Sequence, residues 1–83
     1  MGMVTLKVGE RVRFSVLAGY DPTVDESPRS SIRPGEVWQG ILMTVAWDVD
    51  GRQVVTVRVD LLNGARTVGM KEVYADAVNW EAP

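Results

Sequence analysis

The chain of 83 residues contains no cysteine and no histidine. Without thiols it can form no disulfide, thiolate metal site, redox dithiol or cysteine nucleophile. Without imidazole it lacks the usual acid–base group, the usual catalytic triad and the commonest ligand of protein-built zinc sites. Charge of one sign is also lacking: nine basic residues against eleven acidic ones leave a formal −2. That balance gives no electrostatic reason to expect nucleic acid as a partner. No run approaches the roughly 20 apolar residues of a bilayer-spanning helix, and the first residues lack the basic-then-apolar order of a signal peptide. The cytoplasm is therefore the expected compartment.

What is present is strand chemistry. Valine is abundant, and 46% of the residues are hydrophobic. Val4, Leu6 and Val8 alternate with Thr5 and Lys7, the period of a half-buried strand. After Gly9-Glu10 the alternation resumes, with Val12, Phe14 and Val16 on one face and Arg11, Arg13 and Ser15 on the other. Val37 to Trp47 is a long apolar run that predicts a strand bent near Gly40, since glycine inside a strand marks a bulge or a close backbone approach. Asp50-Gly51 and Asn63-Gly64 are hairpin signals. Between and after them, Val55, Val57 and Val59 are placed inward, with a short strand over Arg66–Met70. Lys71–Asp76 reads as one helical or 3₁₀ turn before a closing strand, Ala77–Glu81.

Residues 18–36 interrupt this pattern with Pro22, Pro28, Pro34 and a mixture of Asp, Ser, Arg and Gly. A connection this long is expected to be functional or mobile. The fold class that follows is all-β: one domain over residues 1–83, a small barrel of five to six short strands with the 18–36 loop and a 3₁₀ turn before the last strand. Closing the sheet on itself hides edges that so small a chain cannot otherwise cover.

Three segments carry a resemblance. Val8-Gly9-Glu10-Arg11-Val12-Arg13-Phe14, Val37-Trp38-Gln39-Gly40-Ile41 and Val73-Tyr74-Ala75-Asp76-Ala77-Val78 resemble successive parts of SH3-like barrels. Within that superfamily the chain is most similar to the plasmid-borne type II dihydrofolate reductases that confer trimethoprim resistance. The shared order is Gly9 to Arg13, Trp38 to Gly40, and Val73-Tyr74. The resemblance implies an association with mobile elements, and for an active member a homotetramer with one pore using NADPH. The active-site motif is not retained. The family's Val-Gln-Ile-Tyr falls on Lys71-Glu72-Val73-Tyr74, and its pore lysine on Phe14. Glu72 would place negative charge beside an anionic substrate, so no catalytic residue, cofactor or metal is assigned. SH3 domains that bind proline-rich peptides offer a second likeness: Ala18-Gly19-Tyr20-Asp21 echoes their Ala-Leu-Tyr-Asp motif, with Asp25 and Glu26 in the acidic loop.

Asp48, Asp50 and Asp60 fail the spacing of a calcium loop and read as turn and surface carboxylates. Of the three tryptophans, Trp47 and Trp80 are expected to be structural, whereas Trp38 serves equally as core or as platform. Arg11, Arg13, Arg58 and Trp38 on one sheet face would form a nucleic-acid surface, diluted by Glu10, Asp60 and Glu72. The sequence thus points to a non-catalytic interaction module. Tyr20, Asp25, Glu26, Arg29, Arg33 and Trp38 are its candidate partner-binding residues. The partner is a protein or a second copy of the chain. The competing readings are an oligomeric reductase-like enzyme and a nucleic-acid-binding domain.

Overall fold

The computed structural model describes residues 6–16, 32–33 and 35–82. Five strands follow in chain order: β1 (Arg11–Val16), β2 (Val37–Trp47), β3 (Gln53–Leu62), β4 (Ala65–Tyr74) and β5 (Val78–Glu81), with a 3₁₀ turn, Ala75–Ala77, before β5. All pairings are antiparallel, in one sheet of order β4-β3-β2-β1-β5. The all-β class and the 3₁₀ turn ahead of the last strand are as the sequence predicts. The strands are longer than expected, with β2, β3 and β4 at 10 or 11 residues each.

One face of this sheet is the core. Val12 and Phe14 of β1, Trp38 and Leu42 of β2, Val55, Val57 and Val59 of β3, Val73 of β4 and Val78 of β5 form a single buried cluster. A flat sheet of this size would leave that face in water. Its burial by residues of all five strands requires the sheet to curl around them, the geometry of a small barrel. Phe14 and Trp80, paired across β1 and β5, stack at 5.3 Å between ring centroids. The Trp80 indole N–H donates to the Ala75 carbonyl at 2.9 Å, which ties β5 to the 3₁₀ turn. Trp80 is therefore structural, as expected.

Two bulges between β2 and β3 set the curl, and a third irregularity sets Thr67 and Val68 of β4 against Asp60 of β3. On β3, Asp60 and Leu61 together oppose Gln39 of β2; on β2, Met43 and Thr44 together oppose Thr56 of β3. Each extra residue flips the alternation once and sharpens the local twist. Where β2 is bulged, the chain before β1 completes its bonding: Gly9 N–H donates to the Leu42 carbonyl at 2.8 Å, and Leu42 N–H to the Glu10 carbonyl at 2.9 Å.

Several expectations shift. Among the described residues 6–10 there is no strand; Val8-Gly9 forms a turn with Gly9 at φ 91°. The alternation there is real, but those backbone groups serve the β2 bulge rather than a ladder. The turn expected over Lys71–Asp76 begins only at Ala75, because Val54↔Tyr74, Val55↔Val73 and Thr56↔Glu72 pairing carries β4 further. Cross-strand pairing outweighs local propensity there. The expected loop also contains a core residue, since Ile32 is fully buried in the cluster. Both hairpin turns stand where expected: Asn63 (φ 50°) and Gly64 (φ 80°) adopt the left-handed pair of a type I′ turn, and Gly51 is at φ 81°.

Gly40 faces β3 so closely that a Cβ there would run into the Arg58 carbonyl oxygen and lie 2.7 Å from the Val59 Cα. The obstacle is backbone, which cannot swing aside. Gly40→Ala should therefore lower stability by about 2–3 kcal/mol, the upper range for overpacking. A urea midpoint within error of the parent's would show that β2 and β3 separate there at no cost.

Candidate interaction surface

Of the six residues singled out by sequence, Tyr20, Asp25, Glu26 and Arg29 lie outside the described residues. Arg33 is exposed. Its backbone N–H donates to the Glu36 carboxylate at 2.6 Å, and its carbonyl accepts from the Glu36 N–H at 3.1 Å, so the pair closes a turn leading into β2. Trp38 is only 7% exposed and belongs to the core cluster. It sits on the face opposite Val37 and Ile41, as alternation predicts, but that face is the interior. The Lys71 ammonium lies 4.6 Å from its ring centroid and helps to cover it. Its indole nitrogen is buried with no hydrogen-bond partner among the described residues. An orphaned donor costs roughly 1–3 kcal/mol, a penalty set against the apolar area the ring buries. Trp38 thus presents no open ring for a ligand to stack on.

The outer face of the sheet is where charge collects. Arg11, Arg13 and Ser15 of β1 face outward, beside Ile41, Gln39 and Val37 of β2. Arg11 reaches across β2 to the bulged Asp60 of β3, its two terminal nitrogens each donating to a carboxylate oxygen at 2.8 Å. The Arg13 Nε donates to Glu81 at 3.0 Å. Arg11 and Arg13 are thus bound to carboxylates, Arg58, opposite Ile41, shares their outer face, and Trp38 lies on the other face from them. Of the four residues grouped for that face, the three arginines share it and Trp38 does not. Phe14 is fully buried in the core.

A second polar cluster pins the β2–β3 turn to the end of β4. Asp48 accepts from the backbone N–H groups of Asp50 and Arg52, both at 2.9 Å, and from the Tyr74 hydroxyl at 2.8 Å. The Arg52 guanidinium lies 3.6 Å from the Tyr74 ring centroid and donates to Asp76 at 2.8 Å. The Tyr74 hydroxyl, foremost, holds the Asp48 carboxyl below its ordinary value of 3.8, with the two backbone donors and the Arg52 charge adding to it against desolvation. Arg11 does the same for Asp60. No trio of His, Cys, Asp or Glu placed to hold a metal ion occurs among the described residues.

The exposed apolar side chains lie elsewhere. Trp47, expected to be structural, is 68% exposed. The β2 bulge returns it to the core-facing side, after Val45, but its partner Gln53 is the first residue of β3. The ring overhangs the end of the barrel. Val49 follows it, fully exposed in the turn. Val68 and Met70 are exposed on β4, and Val68 joins Asp60, Leu61, Arg66 and Thr67 around a shallow depression. Sequence reasoning missed Trp47 because it is the last residue of β2, where core-facing parity no longer brings burial. A tryptophan directly before a turn was the available signal.

No family model, curated protein or solved structure matches the chain.

A carboxylate whose folded pKa is lowered adds stability above its unfolded value, and that stability disappears as pH falls through the folded pKa. Tyr74→Phe removes the largest cause at Asp48. Its carboxyl titration, followed by NMR, should move up toward 3.8, and the variant should lose stability above that range while converging with the parent in acid. An unmoved Asp48 titration would show that the backbone donors alone hold the charge.

Proposed function

We propose that this domain is a non-catalytic interaction module of small-barrel type that binds a protein partner. The observation that carries the reading is Trp47: a tryptophan 68% exposed beside an exposed Val49, in a domain whose core is filled by other residues. Tryptophan is prominent among interface residues whose truncation costs most, because a rigid ring offers large apolar area with little entropy to lose. The hairpin bearing it is held by the Asp48–Tyr74–Arg52 cluster, so the ring is presented on a fixed support. Preorganisation of this kind reduces the entropy lost on binding.

The partner surface assigned from sequence centred on Trp38 and the 18–36 loop. With Trp38 in the core, Trp47 takes the aromatic role, and Arg33 remains as an exposed charge at the start of β2.

Selection of a displayed random-peptide library on the immobilised full chain provides the test. Enriched peptides should share an apolar anchor. Trp47→Ser should weaken them by at least about tenfold, the scale of a hot-spot loss of about 1.4 kcal/mol or more, with circular dichroism unchanged. Failure to enrich, or peptides indifferent to Trp47, would overturn this surface.

A further inference from the structure

We propose that the depression between β3 and β4 is a binding site for the C-terminal residue of a peptide, with an aliphatic side chain against Leu61 and Val68 and the carboxylate on Arg66. The site is built where two irregularities of the sheet meet at Asp60. β3 is bulged at Asp60 and Leu61 against β2, and β4 sets Thr67 and Val68 together against Asp60. Bulges re-aim side chains and interrupt the ladder, and they are over-represented beside active sites. Here they leave a hollow of about 370 Å³, lined by Asp60, Leu61, Arg66, Thr67 and Val68. That volume is at the small end of the roughly 300–1,000 Å³ of ligand sites.

The chemistry of the lining selects the ligand. Its surface is almost entirely apolar, with Leu61 opposite Arg66 in the ladder and Val68 97% exposed. Arg66 therefore lends its hydrocarbon stem to the wall, and its guanidinium stands at the rim. Asp60 turns its carboxylate the other way, across β2, where Arg11 takes both oxygens. Arg66 has no ion pair or hydrogen bond among the described residues. Arg58 lies on the same outer face, opposite Met70. Glu72, the next carboxylate along β4, already has an interaction of its own. The uncommitted charge at the hollow is thus positive. A guanidinium presents a fork that matches a carboxylate with two parallel hydrogen bonds. The complementary ligand is an aliphatic group with a carboxylate beside it.

Two sources carry that chemistry, a free aliphatic acid and the last residue of a peptide. Depth decides between them. Small-ligand sites enclose most of the ligand's surface, whereas this hollow is shallow and open. A free acid would keep much of its apolar surface in water. A peptide gains further contact, because the chain leaving the hollow can run over Met70, 53% exposed on the outer face. Capture of a terminal carboxylate is an established mode of peptide recognition. The inference goes beyond the Trp47 surface and does not rest on it, since Trp47 pairs with Gln53 at the other end of β3.

Titration of the isotope-labelled full chain with an N-acetylated Gly-Ser peptide ending in leucine, followed by NMR, tests the site. Amide shifts should concentrate at residues 60–61 and 66–68. The same peptide with an amidated C terminus should bind at least about tenfold more weakly, the scale of a lost charge-assisted hydrogen bond. Arg66→Met keeps the stem and removes the charge, and should weaken the free-acid peptide by a similar factor. Isocaproate, which is leucine without its amino group, should bind more weakly than the peptide. Equal or tighter binding of isocaproate would assign the hollow to a free acid and overturn the peptide. Absence of shifts at millimolar peptide, shifts confined elsewhere, or an amide as good as the acid would overturn the site itself. So would indifference to Arg66→Met. Circular dichroism checks the folding of that variant; should it misfold, the contrast of acid with amide on the unmodified chain still decides. Trp47→Ser should leave this binding unchanged, and its loss there would place the peptide on the other surface.

Discussion

The close approach of β2 to β3 at Gly40 is the constraint on which the barrel depends. Directly across from Gly40 is Val59, and beside it the Arg58 carbonyl fills the space where any Cβ would be. Asp60 and Leu61 form the β3 bulge one step further along. A missing side chain on one strand and an added residue on the other act together. They let the sheet turn sharply enough for β4 and β1 to share a core that a flatter sheet would open. The Val55–Val57–Val59 row and the Phe14–Trp80 stack are buried only because the sheet bends here.

The bulge also dictates where charge can pair. Asp60 is the extra outward residue of β3, and it meets Arg11 across the full width of β2 with a two-pronged hydrogen bond. At the other end of the sheet, Asp48 spends its carboxylate on two backbone donors and the Tyr74 hydroxyl, closing the β2–β3 turn against β4. Arg52 lies over the Tyr74 ring and carries the connection to Asp76 in the 3₁₀ turn. Carboxylates spaced in the sequence like failed metal ligands are thus turn and cross-strand acceptors. A carboxylate committed to fixed donors is a fastener, and its lowered pKa records that commitment.

Much of the fold was legible in the sequence. Val12 and Phe14, Val55, Val57 and Val59 face inward as alternation requires, and Asn63-Gly64 turns as its residue types demand. Gly40 announced a close approach. The β2 bulge at Met43-Thr44 carries no such mark, because two outward-facing residues in succession differ from ordinary alternation only through their partners. Trp47 departs from its expected role for another reason: it is the last residue of β2, with no neighbouring strand beyond Gln53 to cover it. Trp38 was ambiguous for a different reason: alternation fixes which residues share its face, but which face is interior depends on how the sheet curls. Of the candidate site, only Arg33 and Trp38 fall among the described residues, and Trp38 is core.

A chain of this length buries a modest fraction of its surface, so some apolar side chains remain outside whatever the fold. Scattered exposed residues such as Val8 need no purpose. Arrangement is the informative property. Trp47 and Val49 flank Asp48 at a fastened turn, and Val68 and Met70 share the outer face of β4. Edge strands are ordinarily protected by lysine, proline or a bulge. On β4 that protection is a bulge, with Thr67 and Val68 together opposing Asp60 of β3, while its lysine lies over the Trp38 ring and helps to cover the core.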